Sequence, residues 1–179
     1  MGYLFILDES YLLRHFHDLF RSSNKFFVPK VIFEKMQWRS KIDLENPFVL
    51  SIEITKKSFV RNCQSNHLFP ILVEKIKKKD WEIIDCDVAW EKRVNSLAEL
   101  FEDANVVLYE DQRLVVATLL KAQKNHSEEE VIFFSENRFI KQFAQDIFQD
   151  FFSKELCFGE MKDLVSVCTK DDENKSVCA

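Results

Sequence analysis

The chain has 179 residues, 46% of them hydrophobic, enough for one globular domain with its own core. Its formal net charge of −5 speaks against a broad phosphate-binding surface, and five cysteines, an odd number without CxxC spacing, speak against a disulfide framework or a zinc site. No run is apolar and long enough to span a bilayer, and no basic segment leads an apolar one at the N-terminus, so a cytoplasmic protein is expected.

The run Tyr3-Leu4-Phe5-Ile6-Leu7 reads as a strand buried on both faces, stopped by Asp8 and Glu9. Tyr11, Leu12, Leu13, Phe16, Leu19 and Phe20 then recur at helical spacing. Phe26-Phe27-Val28 predicts a second strand. Pro29 fits the first turn of a helix, where its missing N–H costs nothing. Residues 42–47 read as a loop, and residues 48–55 alternate apolar and polar as a strand does, although a helix stays open there. Residues 59–79 read as largely helical with a break near Pro70. Trp81-Glu82-Ile83-Ile84 predicts a strand. Trp90, Val94, Leu97, Ala98 and Phe101 predict a helix over 90–101. Residues 111–124 give the clearest helical pattern, Val131-Ile132-Phe133-Phe134 a deeply buried strand, and residues 137–152 a last helix. Strands alternating with helices predict an α/β fold, three layers α/β/α around a central, mainly parallel sheet. One domain is expected over residues 1–168, with a polar, disordered tail over 169–179.

Four acidic or amide positions sit where strands hand over to helices. Asp8 ends the first strand, Glu34 lies on the helix after Pro29, Asp111 opens its helix, and Glu136 or Asn137 follows the last strand. Carboxylates that converge repel one another unless a cation neutralises them, so the pattern reads as a site for Mg²⁺ or Mn²⁺. Such an ion lowers the pKa of bound water and stabilises the oxygens of a phosphodiester in displacement. The expected metal ligands are Asp8, Glu34, Asp111 and Asn137, and the expected catalytic acids Asp8, Glu34, Asp111 and Glu136. Ser10 and Ser135 would hold acids by hydrogen bonds, and Glu110 would be a second ligand or a bystander. Lys30, Arg138 and Lys141 are candidates to meet phosphate, with a solvated helix face as the plain alternative. Plain readings exist for the acids too: Asp8 and Asp111 as helix caps, Glu34 as the i+4 partner of Lys30, and Glu136 or Asn137 as a cap. His15, His17, His67 and His126 show no zinc spacing, and two glycines leave no phosphate-cradling loop.

Taken in order, Phe5-Ile6-Leu7-Asp8-Glu9-Ser10, Phe27-Val28-Pro29-Lys30-Val31-Ile32-Phe33-Glu34, Tyr109-Glu110-Asp111-Gln112-Arg113-Leu114-Val115-Val116-Ala117 and Val131-Ile132-Phe133-Phe134-Ser135-Glu136-Asn137 resemble the PIN domain family of metal-dependent nucleases. The resemblance covers residues 3–160, and because the stretch 40–79 is longer than a minimal domain of that family needs, it implies an arm inserted there for substrate or partner binding. It implies a Mg²⁺- or Mn²⁺-dependent endoribonuclease with RNA, ahead of single-stranded DNA, as substrate. It also admits an antitoxin or other protein partner, or a second copy of the chain. The family often has Asp where Asn137 stands, so the alternative is a catalytically degenerate PIN-like domain that binds nucleic acid or protein. A haloacid-type phosphatase would need a second Asp where Ser10 stands, and a receiver domain would need paired acids and a lysine that have no convincing match.

Overall fold

The computed structural model describes residues 2–41, 68–102, 108–162 and 164. The strand-like stretch 48–55 and the polar stretch 169–179 lie outside them, as does most of the expected arm. Within them the chain runs β1 (Tyr3–Leu7), α1 (Glu9–Arg21), β2 (Phe26–Pro29), α2 (Lys30–Arg39), α3 (Leu68–Lys78), β3 (Glu82–Ile84), α4 (Val88–Glu102), α5 (Glu110–Asn125), β4 (Glu130–Phe134), α6 (Arg138–Phe152) and β5 (Cys157–Phe158). The five strands form one sheet in the order β3-β2-β1-β4-β5, parallel at every pairing. Helices flank it in a three-layer α/β/α arrangement. No helix among the described residues is long and apolar enough to cross a membrane.

The sequence explains this order. β1 is apolar throughout, as the central strand of a parallel sheet must be, and it pairs with β2 on one side and β4 on the other. The register Leu7↔Phe134 puts the carboxyl ends of β1 and β4 side by side, and the amide of Asp8 donates to the Phe134 carbonyl at 2.9 Å. From β1 the chain builds outward through β2 and β3, then crosses back to place β4 and β5 on the other side. The crevice beyond the ends of β1 and β4 is therefore the topological switch point, where open α/β sheets take their ligands.

Aromatic side chains fill one face of the sheet. Phe5, Phe26 and Phe134 lie with ring centroids 5.9–6.3 Å apart. From α1, Tyr11 packs on Phe134 at 5.2 Å, and Phe20 stacks on Trp81 at 4.7 Å. Each such ring, fully buried, contributes about 2–3 kcal/mol in transfer free energy. That anchors α1 and fixes where Asp8, Glu9 and Ser10 emerge. On α5, Val115, Val116, Ala117, Leu119 and Leu120 are buried, and the helix packs against β2, β4 and the helices α2, α4 and α6.

Of the helix expected over 59–79, residues 59–67 lie outside the described residues; α3 runs Leu68–Lys78 and includes Pro70. The observed elements depart from expectation in two places. Trp81 precedes β3 and serves as a buried packing residue. The two-residue strand β5 was not expected. It is too short to carry a period, and it is recruited by backbone pairing with Ile132 and Phe133.

Candidate functional site

At the switch point lies a cleft of about 300 Å³. Its walls come from the turn after β1 (Asp8, Glu9, Ser10), one face of α2 (Ile32, Lys35, Arg39), the start of α5 (Tyr109, Asp111, Gln112) and Asn137 ahead of α6. Two expected acids, Asp8 and Asp111, thus do share one cavity, as do Ser10 and Asn137.

Asp8 is only 8% exposed. Its Oδ2 accepts from the hydroxyls of Ser10 at 2.5 Å and Ser135 at 2.8 Å. Burial pushes its pKa above the ordinary aspartate value, although both serine hydrogen bonds work to lower it. The Ser135 hydroxyl also accepts from the Asn137 amide at 3.1 Å, and that of Ser10 from the Glu136 amide at 3.1 Å. One polar knot thereby ties the end of β1 to the end of β4. Asp8 occupies the position before α1, yet its carboxylate makes no capping bond.

Opposite Asp8, an ammonium group stands between two carboxylates. Lys35 Nζ donates to Glu9 Oε2 at 2.6 Å and to Asp111 Oδ2 at 2.7 Å. Arg39 Nη1 reaches the other oxygen of Glu9 at 3.3 Å. The three bridged side chains are all mostly shielded: Lys35 is 27% exposed, Glu9 19% and Asp111 33%. Burial works to lower the pKa of Lys35, but the charges and hydrogen bonds of Glu9 and Asp111 outweigh it, so the amine is held above its ordinary value and stays charged. Asp111 Oδ1 accepts from the Gln112 amide at 3.0 Å. The cap position of α5 belongs to Tyr109, whose amide donates to Gln112 Oε1.

Several expected site residues lie elsewhere. Glu34 is 60% exposed, 3.9 Å from Lys30, and lines a separate cavity of about 230 Å³ with Asp85, Cys86 and Glu91. The reason is helical geometry. Ile32, Lys35 and Arg39 follow i, i+3, i+7 spacing and face the cleft, whereas Glu34 is turned about 100° from Lys35. Glu136 also points out of the cleft. Its carboxylate accepts from His15 at 2.8 Å and Arg14 at 3.1 Å, and these groups hold it below the usual glutamate range. Asn137 reaches the cleft wall, but its Oδ1 caps α6 by accepting from the amides of Phe139 and Ile140. Glu110 is exposed and does not line the cleft. Lys30 is paired with Asp85 at 2.8 Å, the Arg138 guanidinium lies over Phe139, and the Lys141 ammonium lies over Phe158.

The residues that sequence reasoning missed are Glu9, Lys35, Arg39 and Tyr109. Lys35 and Arg39 were visible as basic neighbours of Glu34, and their i, i+4 spacing below Ile32 was the available signal.

A hard divalent ion needs several free oxygens directed at one point. Here Asp8 Oδ2 is taken by two hydroxyls, both oxygens of Glu9 by cations, and both of Asp111 by Lys35 and a backbone amide. No group of three or more His, Cys, Asp or Glu side chains among the described residues is arranged to hold a metal. The donor set in this arrangement therefore does not fit the expected Mg²⁺ or Mn²⁺. No family model, curated protein or solved structure matches the chain.

Proposed function

We propose that this chain is a catalytically degenerate PIN-like domain that binds single-stranded RNA at the switch-point cleft without metal-dependent hydrolysis. The observation that carries the reading is the Lys35 ammonium, bonded to Glu9 and Asp111 where a nuclease of this kind would place its cation. The RNA ligand rests on the PIN resemblance together with the rim of the cleft. Tyr109 lines it and is 70% exposed, and Phe139, at the start of α6 just beyond Asn137, is exposed beside the Arg138 guanidinium. Exposed rings next to cations are the parts that stack unpaired bases, each worth about 1–3 kcal/mol.

One observation favours a second reading, a Mn²⁺- or Mg²⁺-dependent ribonuclease: Asp8 and Asp111 share the cleft despite their separation in sequence. A single experiment separates the two. Labelled single-stranded RNA is incubated with the protein in Mn²⁺, with and without chelator, and binding is followed by fluorescence anisotropy. The binding reading expects retention of intact RNA and a weakened complex for Tyr109→Ala. Cleavage abolished by chelator and by both Asp8→Asn and Asp111→Asn would establish the nuclease instead. Absence of both binding and cleavage would remove RNA as the ligand.

A further inference from the structure

Lys35 is placed to do more than decorate the cleft. Its helix is anchored on both sides of it by the buried residues Ile32 and Met36, and α2 packs against α3 and α5. The ammonium therefore projects from a fixed backbone and meets Glu9 from one wall and Asp111 from the other. Arg39, one turn further along, neutralises the second oxygen of Glu9. Among the described residues, Asp8 is served by the hydroxyl donors of Ser10 and Ser135. Without Lys35, the Glu9 carboxylate would still have Arg39 beside it, but the bridge from Glu9 to Asp111 would be gone, with Asp8 lining the same cavity.

From this arrangement we infer that Lys35 is the resident cation of the cleft: it holds the β1–α1 turn to the start of α5, and it keeps divalent metal out of an acidic pocket that would otherwise take it up. The inference rests on the non-hydrolytic reading of the same cleft. Its test reads metal and stability rather than RNA, so the two fail separately.

The test compares wild type with Lys35→Met, which keeps the length of the side chain and removes its charge. Thermal unfolding is followed in chelator and in millimolar Mn²⁺, with Mn²⁺ uptake measured by electron paramagnetic resonance. The wild-type melting temperature is expected to be the same in both conditions. Lys35→Met is expected to melt several degrees lower in chelator, to bind Mn²⁺, and to recover most of the loss in its presence, because a ligand of the native state alone stabilises by mass action. Wild type stabilised by Mn²⁺ would overturn the inference. So would a Lys35→Met protein that is blind to Mn²⁺ or as stable as wild type in chelator. If Lys35→Met does not fold, Glu9→Gln and Asp111→Asn are added to it. Recovery of folding would support uncompensated charge as the cause, and continued failure would overturn it.

Discussion

Replacing Ser135 by alanine should cost far more than the loss of one small hydroxyl from a surface. Ser135 is 1% exposed. Its hydroxyl donates to Asp8 at 2.8 Å and accepts from the Asn137 amide at 3.1 Å, while the Ser10 hydroxyl lies 3.4 Å away. A hydrogen bond to a charged group contributes about 1.5–3 kcal/mol and a neutral one about 1 kcal/mol, so the two together come to about 2.5–4 kcal/mol. Ser10 still donates to Asp8, which argues for the lower end, about 2.5 kcal/mol. That is a large part of the roughly 5–15 kcal/mol that holds an ordinary domain together. Urea unfolding of the two proteins measures the difference directly. The penalty should be greatest where Asp8 is ionised and should shrink as pH falls through its titration, because a protonated carboxyl takes only a neutral hydrogen bond. A double-mutant cycle with Asp8→Asn should return a coupling of about 1 kcal/mol. A Ser135→Ala protein within about 0.5 kcal/mol of wild type, or a cycle without coupling, would refute the knot between β1 and β4.

Three further perturbations have defined outcomes. Asp8 is raised in pKa by burial, so the folded state holds its proton more tightly than the unfolded chain does; the stability this group lends is present below its unfolded pKa and is lost as pH rises through the folded value. Asp8→Asn should therefore gain on wild type as pH rises in denaturation series, and a constant difference across pH would contradict the buried-acid assignment. Gly159→Ala would drive a Cβ into the ring of the fully buried Phe134, so about 3 kcal/mol of destabilisation is expected by calorimetry, and a neutral result would show that β5 is not seated as described. Asn137→Ala should lose about 1 kcal/mol through the cap of α6, whereas Asn137→Asp should be neutral or slightly stabilising; equal loss in both would mean that the side chain has another task.

The parallel sheet could be read from the chain because its strands are apolar on both faces and its helices carry apolar stripes. β1, α1, α5, β4 and α6 fall within two residues of where periodicity put them. The chemistry at strand ends was legible for the same reason. Asp8 had to emerge at the carboxyl end of a buried strand, and Ser10 and Ser135 had to stand near it if β1 and β4 were neighbours. Orientation on α2 was not legible. Its apolar residues Val31, Ile32, Phe33, Met36 and Trp38 surround the helix, so no single stripe shows which side faces the sheet, and a one-residue change decides whether Glu34 or Lys35 enters the cleft. Glu136 illustrates a different limit. Its partners His15 and Arg14 lie more than a hundred residues earlier in the chain, and no local pattern announces their approach.

The most direct measurement is a crystal structure of the wild-type protein grown in Mn²⁺, with anomalous scattering collected for the metal. The expected map has the Lys35 ammonium within hydrogen-bonding distance of Glu9 and Asp111 and no manganese peak in the cleft. A manganese peak held by Asp8 and Asp111, with Lys35 swung away, would contradict it.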